Sequence, residues 1–302
     1  MEPLNHSTIT HYKNLFKVLK EKYSLTNQII TKPFDKNLSY YINFLTIHKT
    51  IFNKPQHFKE ILLDTNDFCN LECVYCHNGR SKSKLSIEDF KNFLLTQVAS
   101  VGNFQIGCGM EPTMDKRLLE FIKIISSSHA NPKNIFRLQT NGTLLHLCDV
   151  KELHSNGINN FTISIDTLDE EIHKQQRDNS DLNQILSNIE LVKHNCKRAL
   201  IYFITTVTSK NIQALEDLIK YAIKIKINSI ELRQVYYRPL EQNFIKDHNK
   251  MKLLSVSGEE FNKVTLDLIK KYGDKIYICI NDEHTIDKTH KNTTYGFESP
   301  FS

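Results

Sequence analysis

Apolar positions along the chain fall into two alternating kinds of run. Short β-branched or apolar stretches read as strands: "EILLD" (60–64), "FQIG" (104–107), "IFRLQ" (135–139), "FTISID" (161–166), "ALIYFITTV" (199–207), "SIELRQV" (229–235) and "KIYICI" (275–280). Between them, apolar residues recur at helical spacing. Ser86-Ile-Glu-Asp89 starts a capping-box-like helix that carries Ile87, Phe90, Leu94 and Val98 on one side. "DKRLLEFIKII" (115–125), "VKELHSNG" (150–157, closed by Asn156-Gly157), "DLNQILSNIELVKH" (181–194), "NIQALEDLIKYAIK" (211–224) and "EEFNKVTLDLIKKY" (259–272) repeat the theme. Ahead of this rhythm, residues 1–57 are polar and helix-leaning, with Tyr12, Leu15, Phe16 and Leu19 at helical spacing over 11–23.

Strands that alternate with helices predict an α/β fold with a parallel sheet. Short strands and long helices suit a barrel or partial barrel, in which chemistry sits at the C-terminal ends of the strands. The expected organisation is a helical N-terminal extension over 1–57, a core barrel over 58–240, and a C-terminal helix–strand extension and tail over 241–302. Strand ends are therefore the places to search. They carry "CNLECVYC" (69–76), "GCGMEP" (107–112), "TNGTLL" (140–145), "SID" (164–166), "TSKN" (208–211) and "RQVYYRP" (233–239). Polar, Gly-rich and metal-type residues gather on one rim, which hydrophobic periodicity alone does not require.

Composition narrows the setting. The 302 residues are 24% charged with a mean hydropathy of −0.40, and no run approaches the ~20 apolar residues of a bilayer span. The N-terminal residues show no apolar signal core, so a cytoplasmic protein with no membrane partner is expected. The net charge of +5 comes mostly from lysines scattered among acids. That is a solvated surface, and no nucleic-acid partner is expected. Seven cysteines, three of them clustered, make a poor disulfide framework and a good metal pattern for a reducing compartment.

Cys69, Cys73 and Cys76 lie within eight residues, and the next cysteine is Cys108. Three thiolates bind iron or zinc well. An iron–sulfur cube held by three thiolates keeps one iron open to an outside ligand. The competing reading is zinc completed by His77 or by a distant ligand, in a non-catalytic binding module.

CxxxCxxC with Tyr75 just before the last cysteine resembles the radical S-adenosylmethionine (radical SAM) superfamily. "GMEP" (109–112) looks like that family's GGEP segment. "TNGTLL" and "SIDTLDEEIHKQQR" (164–177) resemble the branch containing molybdenum-cofactor synthase and the SPASM/twitch enzymes. The resemblance spans about 58–240 and implies a partial (β/α)6 radical SAM barrel. It implies a [4Fe-4S] cluster on Cys69, Cys73 and Cys76, with S-adenosylmethionine (SAM) chelating the open iron. It also implies an external one-electron reductant of the flavodoxin or ferredoxin type. SAM would be cleaved to a 5′-deoxyadenosyl radical that abstracts hydrogen from substrate.

Residue by residue, Gly109, Met110 and Glu111 match the segment that holds the SAM amino group. Ser164 and Asp166 match strand-end residues that face SAM. Arg177 matches an arginine that pairs with the SAM carboxylate; its alternative is a solvated helix arginine. Asn141 sits in an "NG" turn, where left-handed tolerance is the other explanation. Asn211 is expected as a helix N-cap. Tyr75 is placed beside the adenine, with Leu232 or Val235 on its other side. Cys279, in an apolar strand, is expected to be a structural cysteine. The expected substrate is a polar small metabolite (a sugar, nucleoside or amino-acid derivative), with a short peptide as the alternative.

Overall fold

A computed structural model describes residues 28–29, 56–76, 78, 82–129, 134–235 and 248–281. The strands are β1 (Gln28–Ile29), β2 (Gln56–Leu63), β3 (Glu72–Cys73), β4 (Val98–Ile106), β5 (Phe136–Thr140), β6 (Asn160–Ser164), β7 (Arg177–Asp178), β8 (Leu200–Val207), β9 (Ser229–Gln234) and β10 (Tyr277–Asn281). The helices are α1 (Ile87–Gln97), α2 (Leu118–His129), α3 (Val150–Ser155), α4 (Glu170–Gln176), α5 (Leu182–Asn195), α6 (Leu215–Lys224), α7 (His248–Leu254) and α8 (Gly258–Tyr272). The helix expected over 11–23 lies outside the described residues.

The large sheet has the order β1-β2-β4-β5-β6-β8-β9-β10. All its pairings are parallel. From β2 to β10 the strands follow chain order with helices between them, and the curled sheet forms a half-barrel. The expected partial barrel is therefore the observed architecture.

Alternation along each strand divides the two faces. Phe136 and Leu138, Phe161 and Ile163, Ile201 and Phe203, and Ile230 and Leu232 join a core that includes Phe121, Ile125, Ile185, Ile189, Leu218 and Phe261 from the helices. The intervening residues line the inner face: Gln105, Arg137, Gln139, Thr162, Tyr202, Glu231 and Arg233. The half-barrel thus has an apolar outside under helices and a largely polar inside, with Leu62 and Ile204 as apolar exceptions.

Short side chains punctuate the helix starts. Ser86, Asp149, Asp169, Asp181 and Ser257 each accept a backbone N–H from the first turn of α1, α3, α4, α5 and α8. Several boundaries differ from expectation, two of them instructively. Val98 belongs to β4 and not to the helix face, because α1 runs directly into a strand that finds partners in β2: Gln56↔Val98, Phe58↔Val101. A tertiary edge decides the conformation of this β-branched stretch. The helix expected from 115 begins at Leu118. Arg117 is held instead by Asp115 at 2.8 Å and by the carbonyls of Leu85 and Thr65, 2.8 and 3.3 Å away.

Candidate active site

The cysteine loop follows β2 and is laced to its neighbours by buried polar groups. Asp64, directly after the strand, accepts backbone N–H bonds from Cys108 (2.8 Å), Gly109 (3.0 Å) and Met110 (3.4 Å). Burial pushes its pKa up to about 6, against the pull of those donors. Further along, the Glu111 N–H donates to the Phe68 carbonyl at 2.8 Å, and Asn66 Nδ2 donates to the Glu111 carbonyl at 3.2 Å. The 64–70 and 108–111 segments are thereby zipped together.

Glu111 is buried, and its carboxylate is fully engaged within the protein. Oε1 accepts from the Thr113 N–H (3.1 Å), Thr113 Oγ1 (2.6 Å) and Thr140 Oγ1 (2.6 Å). Oε2 accepts from the Asn141 N–H at 2.7 Å. The side chain ties the loop after β4 to the loop after β5, so what the 109–111 segment offers a ligand is backbone. Gly109 fits that role: an added Cβ would lie 2.9 Å from Asn78 Nδ2, and its carbonyl accepts from that same amide at 2.8 Å. Met110 is buried beside it.

Asn141 reaches the cysteine loop directly. Its Nδ2 donates to Asn70 Oδ1 (2.9 Å) and lies 3.9 Å from Cys69 Sγ, while its Oδ1 accepts from the Thr143 N–H. The left-handed residue of this turn is Gly142, with φ +80°, so Asn141 is there for its amide. The Leu71 N–H also points at Cys69 Sγ, 3.5 Å away.

On the opposite flank, β3 pairs antiparallel with β7, placing Cys73 against Arg177 and Glu72 against Asp178. Arg177 is 4% exposed and Asp166 1%. Arg177 Nε donates to Asp166 Oδ2 at 2.7 Å, and its terminal nitrogen donates to Oδ1 at 3.2 Å. The Tyr75 hydroxyl donates to Asp166 Oδ2, and the guanidinium lies 5.9 Å from the Tyr75 ring centroid. Burial works against the charge of Arg177, and Asp166 more than offsets it, so the group stays protonated. Burial also raises the Tyr75 phenol, so it stays neutral.

The expected site residues are therefore brought together, in altered roles. Arg177 and Asp166 face each other instead of an open pocket, and Tyr75 is fastened to them. Ser164, at the end of β6, is half-buried, and its hydroxyl has no partner among the described residues. Leu232 lies on the helix side with Ile230, away from Glu231 and Arg233, so it packs in the core. Asn211 does not cap with its side chain; its amide donates to the carbonyls of Asp166 (2.8 Å) and Thr206 (2.9 Å). Cys279 is half-buried in β10, where burial pushes its thiol up to about 11. Tyr236, Tyr237 and Arg238 lie outside the described residues, as does His77. Asp64 and Asn70 are the contributors that motif reading missed. Asp64 had one visible signal: an acid at the C-terminal end of a strand, just before the cysteines.

The residues present fit an iron–sulfur cluster. Three half-buried cysteines, none of them in a disulfide, stand on one loop. Burial pushes the Cys73 thiol up to about 11, so a ligand that takes the thiolate must displace a proton. Donors already aimed at Cys69 sulfur suit a cluster-bound thiolate. Among the described residues, no three His, Cys, Asp or Glu side chains converge tightly enough to hold a single metal ion. No helix among them is long and apolar enough to cross a membrane.

Residues 64–222 match the model of the radical SAM superfamily. The chain is 25% identical over 236 residues to a probable GTP 3′,8-cyclase of Sulfurisphaera tokodaii, covering 69% of this chain and 72% of that one. It is 30% identical over 219 residues to the GTP 3′,8-cyclase of Clostridium perfringens, covering 69% of this chain and 61% of that enzyme, somewhat under two thirds of its length. In fold it is similar to Streptococcus suis SuiB bound to precursor peptide SuiA (TM-score 0.57, 16% identity, 93% of this chain and 64% of that one). It is also similar to anSMEcpe with bound SAM (TM-score 0.57, 20% identity, 74% and 63%).

Proposed function

Because the chain belongs to the radical SAM superfamily, whose enzymes use a [4Fe-4S] cluster and SAM, we propose that Cys69, Cys73 and Cys76 hold the cluster and leave one iron for SAM. When bound, the cluster supplies one electron that splits SAM into methionine and a 5′-deoxyadenosyl radical able to take hydrogen from an unactivated carbon. An external cytoplasmic flavodoxin- or ferredoxin-type protein provides that electron.

This chain's residues do the placing. Asp64 and Glu111 fix the backbone of 108–111 beside the cysteine loop, leaving the Gly109–Met110 peptide groups to hold the SAM amino end. Asn141 and the Leu71 N–H supply donors to Cys69 sulfur, which favours the reduced cluster electrostatically. The buried Asp166–Arg177–Tyr75 group fixes the far flank of the loop through Cys73. Ser164, at the rim with no hydroxyl partner among the described residues, is available to SAM.

The substrate is a polar small metabolite: a sugar, nucleoside or amino-acid derivative. The observation that carries this reading is the polar inner face, with Gln105, Arg137, Gln139, Thr162 and Tyr202 below the cysteine loop. Relatives named as acting on a nucleotide support it. A short peptide is the second reading, favoured by the likeness to SuiB with its precursor peptide.

Anaerobic reconstitution followed by metal analysis is the test. About four iron and four sulfide per chain are expected, with SAM cleavage under reductant that is lost in Cys69→Ala, Cys73→Ala and Cys76→Ala. Stoichiometric zinc without iron would overturn the proposal. Acceleration of SAM cleavage by a peptide fraction, and not by a small-metabolite fraction, would replace the first substrate reading with the second.

A further inference from the structure

Arg137 is a cation with no counter-charge among the described residues. It is the second residue of β5 and lies on the inner face, half-buried. Its terminal nitrogen donates to the neutral amide oxygen of Gln105 at 3.1 Å. Its guanidinium lies 6.0 Å from the Tyr202 ring centroid, which it reaches across β6. Its Nε is buried and makes no hydrogen bond. No carboxylate pairs with it among the described residues, although Asp115–Arg117, Asp166–Arg177 and Glu231–Arg233 show that the arginines at the barrel's rim find acids.

The neighbouring strand repeats the deficit. Asn160, the register partner of Arg137 on β6, is fully buried, and its Nδ2 donor has no partner. Its oxygen is already used by Thr162 Oγ1 at 2.9 Å. Gln105 Nε2 is spent on the Gly107 carbonyl and on Gln139 Oε1. Between Arg137 and Asn160 the inner face thus has two unused donors, Arg137 Nε and Asn160 Nδ2, and one positive charge that no described carboxylate answers. Buried donors are nearly always satisfied, and a desolvated charge without a partner is costly. A guanidinium fork beside an amide donor fits the oxygens of a carboxylate or a phosphate.

We propose that Arg137, with the Asn160 amide, binds an oxyanion group of the substrate, a carboxylate or a phosphate, deep in the half-barrel. This rests on reading the inner face as the substrate chamber. Arg137 lies four residues before Asn141, roughly 13 Å along the strand from the rim. The carbon presented to the rim therefore lies several bonds from the anion, so the substrate is an elongated anionic molecule anchored by its far end.

Thermal melts of the full chain with inorganic phosphate and, separately, acetate read this site without cluster or SAM. Each is compared with chloride at equal ionic strength. Phosphate also stabilises proteins generally by exclusion from their surface, so the quantity that matters is the difference between wild type and Arg137→Met. One of the two anions should raise the wild-type Tm by about 2–4 °C more than that of Arg137→Met. Phosphate would point to a phosphorylated substrate and acetate to a carboxylate. Arg137→Lys, which keeps the charge without the fork, should retain part of the effect. Without added anion, Arg137→Met should melt no lower than wild type, because it removes an unpaired charge. Equal shifts in wild type and Arg137→Met would overturn the proposal, as would a large drop in Tm for Arg137→Met alone, which would make Arg137 structural. Substrate-free SAM cleavage by reconstituted wild type and Arg137→Met is measured alongside the melts. Absence of SAM cleavage in both proteins would count against the proposed function, while the melts would still decide the anion site.

Discussion

Asp166 and Arg177 form a two-point ion pair, 2.7 and 3.2 Å, that is almost wholly buried beneath the cysteine loop. The pair is also where three strand-end segments meet. Asp166 follows β6, its Oδ1 accepts the Thr206 N–H of β8 at 2.7 Å, and Arg177 carries the backbone that pairs with Cys73. An arginine at the end of a short helix thereby locks the loop that holds the three thiols.

Removing one partner should be costly. Arg177→Ala leaves a buried carboxylate with no cation, and Asp166→Ala leaves a buried guanidinium. Each should lose about 3–5 kcal/mol of stability in urea unfolding. The double variant Asp166→Asn with Arg177→Met should recover part of that loss, because the two changes act on one interaction. A cost under about 0.5 kcal/mol for Arg177→Ala would return it to an ordinary solvated arginine.

Glu111 makes a different prediction from the one its motif suggests. Its carboxylate gathers four donors from Thr113, Thr140 and Asn141, so Glu111→Ala strands several buried groups at about 1–3 kcal/mol each. A total loss of at least ~3 kcal/mol is expected by equilibrium unfolding, in chains carrying neither cluster nor SAM. Glu111→Gln, which keeps an acceptor oxygen, should lose clearly less. Unchanged stability of the metal-free Glu111→Ala chain would mean that the side chain serves only a ligand.

The strand order, the rim and the cysteine loop were legible in the sequence because each is written in local spacing. Alternation along "IFRLQ" and "ALIYFITTV" marks strands directly, and three cysteines in eight residues need no fold to be noticed. What stayed hidden were pairings across long separations. Asp64 meets the Cys108 N–H 44 residues on, and Glu111 meets the Asn141 N–H 30 residues on. Periodicity sees neighbours two, three or four positions apart, so it identifies a buried acid without naming its donors. Leu232 shows the same limit. Its register beside Thr205 and Ile280 decides which face it joins, and one residue of register reverses the answer.

Glycine at 107 is a backbone requirement, and glycine at 258 is not. Gly107 sits at φ +85° where β4 ends, and an added Cβ would lie 2.1 Å from the Gln139 carbonyl oxygen. Neither the dihedral nor the neighbouring backbone can give way cheaply, so Gly107→Ala should cost about 3 kcal/mol or more and disturb the 108–111 segment. Gly258 opens α8 with nothing within 4 Å of the added Cβ. Gly258→Ala should leave stability unchanged or raise it by up to about 1 kcal/mol. Thermal melts of the two variants side by side check this, and equal costs would contradict the geometry.

His173 gives the fold a pH dependence of definite sign. It is 1% exposed on α4, with its Nε2 2.8 Å from Ser180 Oγ and its Nδ1 buried without a partner. Burial, with the charge of Arg177 nearby, lowers its pKa from about 6.5 to about 4. The unfolded chain therefore takes up a proton that the folded chain resists. Stability is retained above about pH 6.5 and falls as the pH drops towards 4, by up to about 3 kcal/mol from this residue alone. Urea unfolding at about pH 7 and pH 4.5 should show His173→Gln losing about 2–3 kcal/mol less than wild type between the two conditions. An identical loss in both proteins would mean that His173 accepts its proton in the folded state, contrary to its enclosure on α4.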